Sequence, residues 1–209
     1  MALIRLLIRL LKLLVRRETM ATKLTVTASA ATDVTAVGGV AWTDPNNTLG
    51  ATDALYATVT PDNDIDLRSK LELAFDLSAL PDGATLTGFT LVLRWGALND
   101  FVVDMVDVRL GVGLVPTWSD YKVGLSTGDT PPSLSAEEVT TTTLGTCSDM
   151  WGLTPLVADL KVACVATVAT TNVLDQANAF GLDSAELSVY YEGTDGRAKS
   201  HYHHRRRQG

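Results

Sequence analysis

Residues 71–95 read LELAFDLSALPDGATLTGFTLVLRW and decide the fold class. In Leu71–Leu77 every second residue is Leu or Phe, and Glu, Ala and Asp stand between them. Thr85–Trp95 is rich in Thr, Leu, Val and aromatic residues. Alternation with a period of two is typical of a strand with one buried face. Between the two parts lie Pro81, whose ring fixes φ, and Gly83, whose backbone can adopt a turn. The stretch therefore predicts a strand, a turn and a second strand.

The same pattern recurs on both sides of this stretch. In Val102–Leu110, Val106, Val108 and Leu110 share one face, while Asp107 and Arg109 lie on the other. No run between Met20 and Glu192 keeps a helical period over three turns, and polar turn signals separate the runs. This pattern predicts an all-β, antiparallel β-sandwich over residues 20–192. Further strands are predicted at Lys23–Ser29, Leu160–Thr170, Ala185–Tyr191 and near Val139–Leu144.

The stretch Lys122–Thr146 is rich in Ser, Thr, Gly and Pro. It predicts a long loop that contains the strand near Val139–Leu144. Loops of this length in a compact domain are often functional, so an interaction arm and a solvated excursion are both open interpretations.

Residues 1–19 read MALIRLLIRLLKLLVRRET and predict an amphipathic, basic helix. The charges at positions 5, 9, 12 and 16 fall within roughly a 60° arc, and the rest of the circumference to Val15 is apolar. The segment is too short and too regularly charged to span a membrane. Its apolar face needs a cover: other copies, a partner's groove or a membrane surface. A small bundle around an oligomer axis is favoured by the a/d spacing of Ile4, Leu7, Leu11 and Leu14.

A second interpretation of this segment is open. Met20 opens MATKLTVTAS, which has the character of a natural start, so residues 1–19 would then be an upstream extension of the reading frame.

Residues 193–209 read GTDGRAKSHYHHRRRQG and predict a basic, flexible tail. The chain's three histidines all lie in it, so the sandwich has no histidine to serve as catalytic base or zinc ligand. This excludes histidine-dependent triads and most zinc hydrolases. Two partners suit the cluster Arg205, Arg206 and Arg207, nucleic acid and an acidic protein face, and the second fits the acidic body better.

The formal net charge of −7 is unevenly distributed. The first 19 and the last 15 residues each carry a net +4, and residues 20–194 carry −15. Such an acidic body repels phosphate backbones, which makes it a poor nucleic-acid binder. The basic ends suit contacts with neighbouring copies of the acidic body, and two solvated ends are the alternative.

The oxygen-rich stretches favour turns over metal sites. Asp62, Asp64 and Asp66 alternate after Pro61, but Leu67 and Leu73 stand where an EF-hand needs Gly and Glu. A second stretch is more typical of Asx turns: Asp44, Asn46, Asn47 and Asp53. We expect no cofactor.

No residue pattern predicts catalysis. Ser119 and Ser148 lack the glycines of a nucleophile elbow, and no histidine of the body would serve them. Cys147 and Cys164 are interpreted as small buried hydrophobes. The protein is therefore expected not to be an enzyme.

The aromatic residues allow two interpretations. Exposed rings would stack on sugars, whereas rings in a sandwich more often fill the core or pin loop ends, which is the favoured interpretation for any single tryptophan. The set is Trp42, Trp95, Trp118 and Trp151, with Tyr56 and Tyr121.

Several motifs follow in a fixed order: W-x-D-P-x-N from Trp42, P-x-G-A-T-L-x-G-F from Pro81, W-G-L-T-P from Trp151 and LSVYY from Leu187. Over about residues 40–191 this order resembles β-sandwich, jelly-roll-like proteins encoded among the structural genes of tailed bacteriophages. The resemblance implies a virion component, either a head decoration protein or a tail or fibre part. It supplies no catalytic residues.

These observations lead to a ranked set of hypotheses. The first is a capsid decoration protein that assembles as an oligomer, with a trimer expected, and contacts the major capsid or tail protein. Its basic ends would anchor it through Ile4, Leu7, Leu11, Leu14 and Arg205–Arg207. The second is a carbohydrate- or receptor-binding module with Trp118 or Tyr121 exposed on one groove. The third is a glycan-cleaving enzyme with an unmarked carboxylate pair about 5–10 Å apart.

Overall fold

The structure is a computed structural model, and it describes residues 21–50, 53, 55–60, 68–97, 106–125, 140–170 and 179–193. Within these ranges, eleven strands, one short α-helix and one 3₁₀ turn at Pro45–Thr48 are formed. The helix, α1, is Val157–Val162. The strands are β1 Thr22–Thr27, β2 Ala30–Asp33, β3 Ala57–Val59, β4 Ser69–Ala74, β5 Thr85–Ala97, β6 Val106–Val112, β7 Thr117–Trp118, β8 Lys122–Leu125, β9 Thr140–Thr146, β10 Cys164–Thr170 and β11 Phe180–Glu192.

The strands form two antiparallel sheets. The first sheet has the order β1-β11-β5-β9, and β3 also pairs with β11. The second sheet has the order β2-β4-β10-β6-β7, and β8 also pairs with β6. From β1 to β6 the chain changes sheet at every strand, so neighbours in sequence belong to opposite sheets.

The core lies between the sheets and is built by the predicted alternation. Leu71, Leu73, Val108 and Leu110 of the second sheet are fully buried, as are their counterparts on β5 and β11. Each of these side chains contributes about 1.5–3 kcal/mol by leaving water. The described residues therefore confirm the predicted antiparallel β-sandwich. The counterparts in the first sheet are Phe89, Leu91, Leu93, Leu187 and Val189.

The deciding stretch folds largely as predicted. The Ala84 N–H donates to the Pro81 carbonyl at 3.3 Å, and Gly83 has φ +74°. At Gly88 the β5–β11 register shifts. A Cβ there would stand 2.5 Å from the Thr146 carbonyl oxygen. A glycine inside a strand commonly marks a bulge or a close backbone approach, and Gly88 has both.

Two predictions about element boundaries were wrong. Leu160–Thr170 is not one strand: α1 occupies its first residues and β10 begins only at Cys164. The Asp159 carboxylate accepts the Leu156 N–H at 3.2 Å, and Val157 and Leu160 bury one side of the turn, so local capping overrides the apolar run. The stretch Lys122–Thr146 begins with β8 on the free part of β6, where a loop was expected.

The predicted amphipathic helix lies outside the described residues, and so does the predicted basic tail beyond Gly193. The same holds for the predicted turn at Asp62, Asp64 and Asp66. Among the helices that the structure describes, none has the length and apolar character needed to cross a membrane. The predicted anchoring residues outside the described ranges are Ile4, Leu7, Leu11, Leu14, Arg205, Arg206 and Arg207.

Candidate functional site

Three of the four tryptophans belong to the core, as expected for a sandwich. Trp42, Trp95 and Trp151 are at most 5% exposed. Trp95 stacks on Phe180 with ring centroids 5.5 Å apart. The Trp151 indole N–H donates to the Phe89 carbonyl at 3.2 Å. Trp118 is the exception, because it is only half-buried and lies at the edge of the second sheet.

Trp118 lies on the outward face of that sheet because of its register. It pairs with Gly111, which follows the inward-facing Leu110 and therefore points away from the core. A Cβ on Gly111 would stand 2.7 Å from Cζ3 and 2.9 Å from Cε3 of the indole. The benzo edge of Trp118 thus lies directly on the glycine, a position that any larger residue would block.

The guanidinium of Arg109 lies between two aromatic rings. Its Cζ is 4.0 Å from the ring centroid of Trp118 and 5.1 Å from that of Tyr121. Tyr121 is 52% exposed, so one end of this group opens to solvent. The Arg109 Nε–H is buried and has no hydrogen-bond acceptor among the described residues. We refer to Arg109, Trp118 and Tyr121 as the Arg109 cluster.

Ser119 fixes the segment that carries both rings. Its Oγ accepts the Leu110 N–H at 2.9 Å and donates to the Asp120 carbonyl at 2.8 Å. The Ser119 N–H donates to the Leu110 carbonyl at 2.7 Å. The hydroxyl is buried, so the sequence motif T-W-S-D-Y serves placement of the rings, not nucleophilic chemistry.

A row of polar residues runs from the Arg109 cluster across the outward face. Thr167 lies opposite Arg109, Glu72 lies opposite Thr167, and Thr32 lies opposite Glu72. These four residues come from four adjacent strands, so the row is about 14 Å long. We call Arg109, Thr167, Glu72 and Thr32 the polar row.

Small apolar residues form a second row beside the first. Gly111 lies opposite Val165, Val165 opposite Ala74, and Ala74 opposite Ala30, and Trp118 stands at the end. We call Gly111, Val165, Ala74 and Ala30 the apolar row. Because none of its side chains exceeds Val in size, it leaves a strip of low relief next to the longer side chains of Arg109 and Glu72.

An ion pair closes the other side of the polar row. Asp107, two residues before Arg109 on the same face, is buried and pairs with the guanidinium of Arg68. Ala169 beside it is also buried. On one side of Arg109 the outward face thus carries the Asp107–Arg68 ion pair. On the other side it carries the small apolar residues of the apolar row.

The remaining sequence candidates are structural. The Leu55 N–H donates to the Asp53 carboxylate at 3.0 Å, which is the Asx-type contact predicted for Asp53. The Asn47 amide instead donates to the Tyr56 carbonyl at 3.1 Å, nine residues along the chain. Cys164 is buried as expected, and burial raises the pKa of its thiol to about 12. Cys147 is exposed, so the prediction that it is buried was wrong. The described part of the chain holds no group of three His, Cys, Asp or Glu residues arranged for a metal.

Comparison with known proteins gives distant structural likenesses alone. No protein-family model matches the sequence, and no curated protein matches it. Similar solved structures include a family 35 carbohydrate-binding module from Cellvibrio japonicus Abf62, with 16% identity and a TM-score of 0.41 over 83% of this chain and 95% of that chain. A native family 35 module from Clostridium thermocellum has 12% identity and a TM-score of 0.35 over 81% and 98% of the two chains.

A third similar structure is the CBM22-1–GH10 part of Clostridium thermocellum endo-1,4-beta-D-xylanase 10B, complexed with xylohexaose. It has 9% identity and a TM-score of 0.40, and the match covers 84% of this chain but 28% of that chain. Likenesses at this level do not place the chain in a family.

Proposed function

We propose that the protein is a carbohydrate-binding module whose site is the outward face of the second sheet. The observation that supports it most is the Arg109 guanidinium held between Trp118 and Tyr121 at the end of two parallel rows. This corresponds to the second sequence hypothesis, which required Trp118 or Tyr121 to be exposed on one groove.

The two rows match the two kinds of surface on a sugar chain. Pyranose rings present apolar C–H faces and a rim of hydroxyls. The apolar row and the free part of the Trp118 indole accept the C–H faces, as aromatic rings do in sugar sites. The polar row supplies the Arg109 guanidinium, the Glu72 carboxylate and the exposed Thr32 hydroxyl for the hydroxyl rim, while Thr167 between them is buried. Its length of about 14 Å suits an oligosaccharide lying across the strands.

Stability alone does not account for Arg109. A buried donor without an acceptor costs about 1–3 kcal/mol, and the Arg109 Nε–H is in that position among the described residues. Cation–π stacking returns about 0.5–2 kcal/mol, so the arrangement is close to neutral for folding. Stacking does, however, fix the plane of the guanidinium, and a preorganised donor fork loses less entropy when it binds a ligand.

The first test blocks the apolar row without touching the core. Val165→Arg places a long charged side chain on the low strip, and we expect it to abolish oligosaccharide binding measured by glycan array and calorimetry. The matched control is Val92→Arg, because Val92 is also a half-buried valine but lies on the outward face of the first sheet. Equal binding by both variants, or no glycan bound by the parent protein, would contradict the proposal.

The second test removes the donor. Arg109→Ala should weaken binding at least tenfold, about 1.4 kcal/mol, whereas Arg94→Ala on the first sheet should not. Arg94 is a fair control because its guanidinium donates to Ser184 at 3.3 Å, away from the rows. Unchanged affinity in Arg109→Ala would show that the cluster serves the fold only.

The phage-derived hypothesis stays a prediction, together with its virion location, its oligomer and its jelly-roll-like strand order. Its anchoring residues lie outside the described residues. Glycan binding is compatible with the tail or fibre part that the resemblance also implies. We therefore rank the carbohydrate-binding interpretation above capsid decoration.

A further inference from the structure

One end of the sandwich exposes large apolar side chains. Leu114 and Val115 form the turn between β6 and β7 and are 85% and 87% exposed. Leu156 and Val162 flank the other side of this end, at 68% and 63%. The Gly113 N–H donates to the Ala163 carbonyl at 2.9 Å, which holds the turn beside α1. We call Leu114, Val115, Leu156 and Val162 the apolar end.

Two cavities open at this end and share a wall. The first, about 390 Å³, lies between the β6–β7 turn and the segment Leu153–Pro155. The second, about 420 Å³, lies on the other side of that segment. Its lining is mostly apolar: Ala84, Thr85, Leu86, Met150, Leu153, Thr154, Pro155, Leu156 and Val157. Apolar side chains and an apolar cavity together form a surface that gains from being covered.

The chain enters the sandwich next to the second cavity. Thr22, the first residue of β1, lies opposite Tyr191, and Tyr191 lies opposite Leu86 of the cavity wall. Two strand spacings, about 10 Å, separate Thr22 from Leu86. Three extended residues span about 10 Å, so residues 19–21 are long enough to bring the preceding segment over the cavity.

We propose that residues 1–19 of the same molecule cover the apolar end, with the stripe Ile4, Leu7, Leu11 and Leu14 in the second cavity. The predicted apolar face of the segment matches the mostly apolar lining of the cavity. Charge is also complementary, because the other face of the segment is basic and Asp159 and Glu192 are exposed at this end. Lys161 and Asp82 form an ion pair at 2.6 Å, so together they add no net charge to this end.

Hydrogen–deuterium exchange on the full chain tests the proposal from the side of the segment. Leu7→Gln with Leu11→Gln should raise deuterium uptake of residues 150–162 severalfold, because their cover is lost. Lys12→Arg with Arg16→Lys keeps both the apolar stripe and the positive charge and should leave uptake close to the parent's. Equal uptake in the two variants would overturn the proposal.

Trypsin tests it from the side of the cavity. Leu156→Gln should accelerate cleavage at Arg9 and Lys12 severalfold, since the segment loses an apolar contact. Val37→Gln is the control, because Val37 is fully exposed in a different loop. If protection in the parent depends on protein concentration, the occupant is a second copy; if it requires anionic vesicles, the occupant is a membrane. Either result would overturn docking within one molecule.

Discussion

The indole of Trp118 lies on Gly111, where a Cβ would stand 2.7 Å from Cζ3. The glycine is therefore a condition for the Arg109 cluster, because the ring that stacks on Arg109 needs the space of the missing side chain. This relationship links a fold property, the β6–β7 register, to the proposed binding face.

Replacing this glycine should damage binding more than folding. We expect Gly111→Ala to displace the indole, cost about 1–3 kcal/mol as an overpacked contact, and weaken oligosaccharide affinity at least tenfold. Calorimetry gives the affinity, and denaturant unfolding gives the stability. Adding Trp118→Leu should recover most of the stability but none of the binding, since the two residues are coupled. A Gly111→Ala protein with parental affinity would show that Trp118 does not contact the ligand.

Substitutions at Gly145 and Gly83 distinguish the cost of backbone strain from the cost of a steric clash. Both have positive φ, +81° and +74°. A Cβ on Gly83 meets nothing within 4 Å, whereas one on Gly145 would stand 2.3 Å from the Phe89 carbonyl oxygen and from Trp151 Nε1. Gly83→Ala should cost about 1–2 kcal/mol and Gly145→Ala about 3 kcal/mol or more. Equal losses in thermal or denaturant unfolding would mean that Trp151 shifts freely.

Period-two patterns predicted the strands well because burial in a sandwich enforces alternation. The predicted strands Leu71–Leu77 and Thr85–Trp95 begin and end within three residues of β4 and β5. Leu160–Thr170 failed because a run of six helical residues is shorter than two turns, which is too short for a period to show. Asp159, which caps the start of α1, is a local helix signal, but the apolar pattern that follows it favoured a strand.

The site was only half predictable. Trp118 and Tyr121 stood out as aromatic residues, but their partner Arg109 did not. What joins them is the register of β6 with β7, and the rows depend on the pairing of β10 with β4 and β6. Register between strands distant in sequence is set by the whole core, so no local pattern indicates that Val165 and Gly111 are neighbours.

Acid should weaken the loop that seats Trp151. The Lys122 ammonium, 2.6 Å from the Asp149 carboxylate, and the Trp151 N–H lower the pKa of Asp149 below its ordinary 3.8. A lowered carboxyl pKa stabilises the fold above about pH 4, and this stabilisation is lost as the pH falls through the folded-state value.

Asp149→Asn should therefore lower the unfolding temperature at pH 7 and flatten its decline below pH 4. Lys122→Met keeps the hydrogen bond from the Trp151 N–H to Asp149. The decline of its unfolding temperature in acid should therefore lie between those of the parent protein and Asp149→Asn. Three identical pH profiles would show that this ion pair does not contribute to acid sensitivity.

The two thiols should differ sharply in reactivity. Thiolate is the reactive form, and burial raises the pKa of Cys164 to about 12 and closes it to reagents. Cys147 is exposed at the end of β9. A disulfide reagent at pH 8 should therefore titrate one thiol per native chain and two in guanidinium chloride. Cys147→Ser should leave none reactive in the native protein. Rapid reaction of Cys164 without denaturant would mean that the β10 end of the sandwich opens far more often than its burial implies.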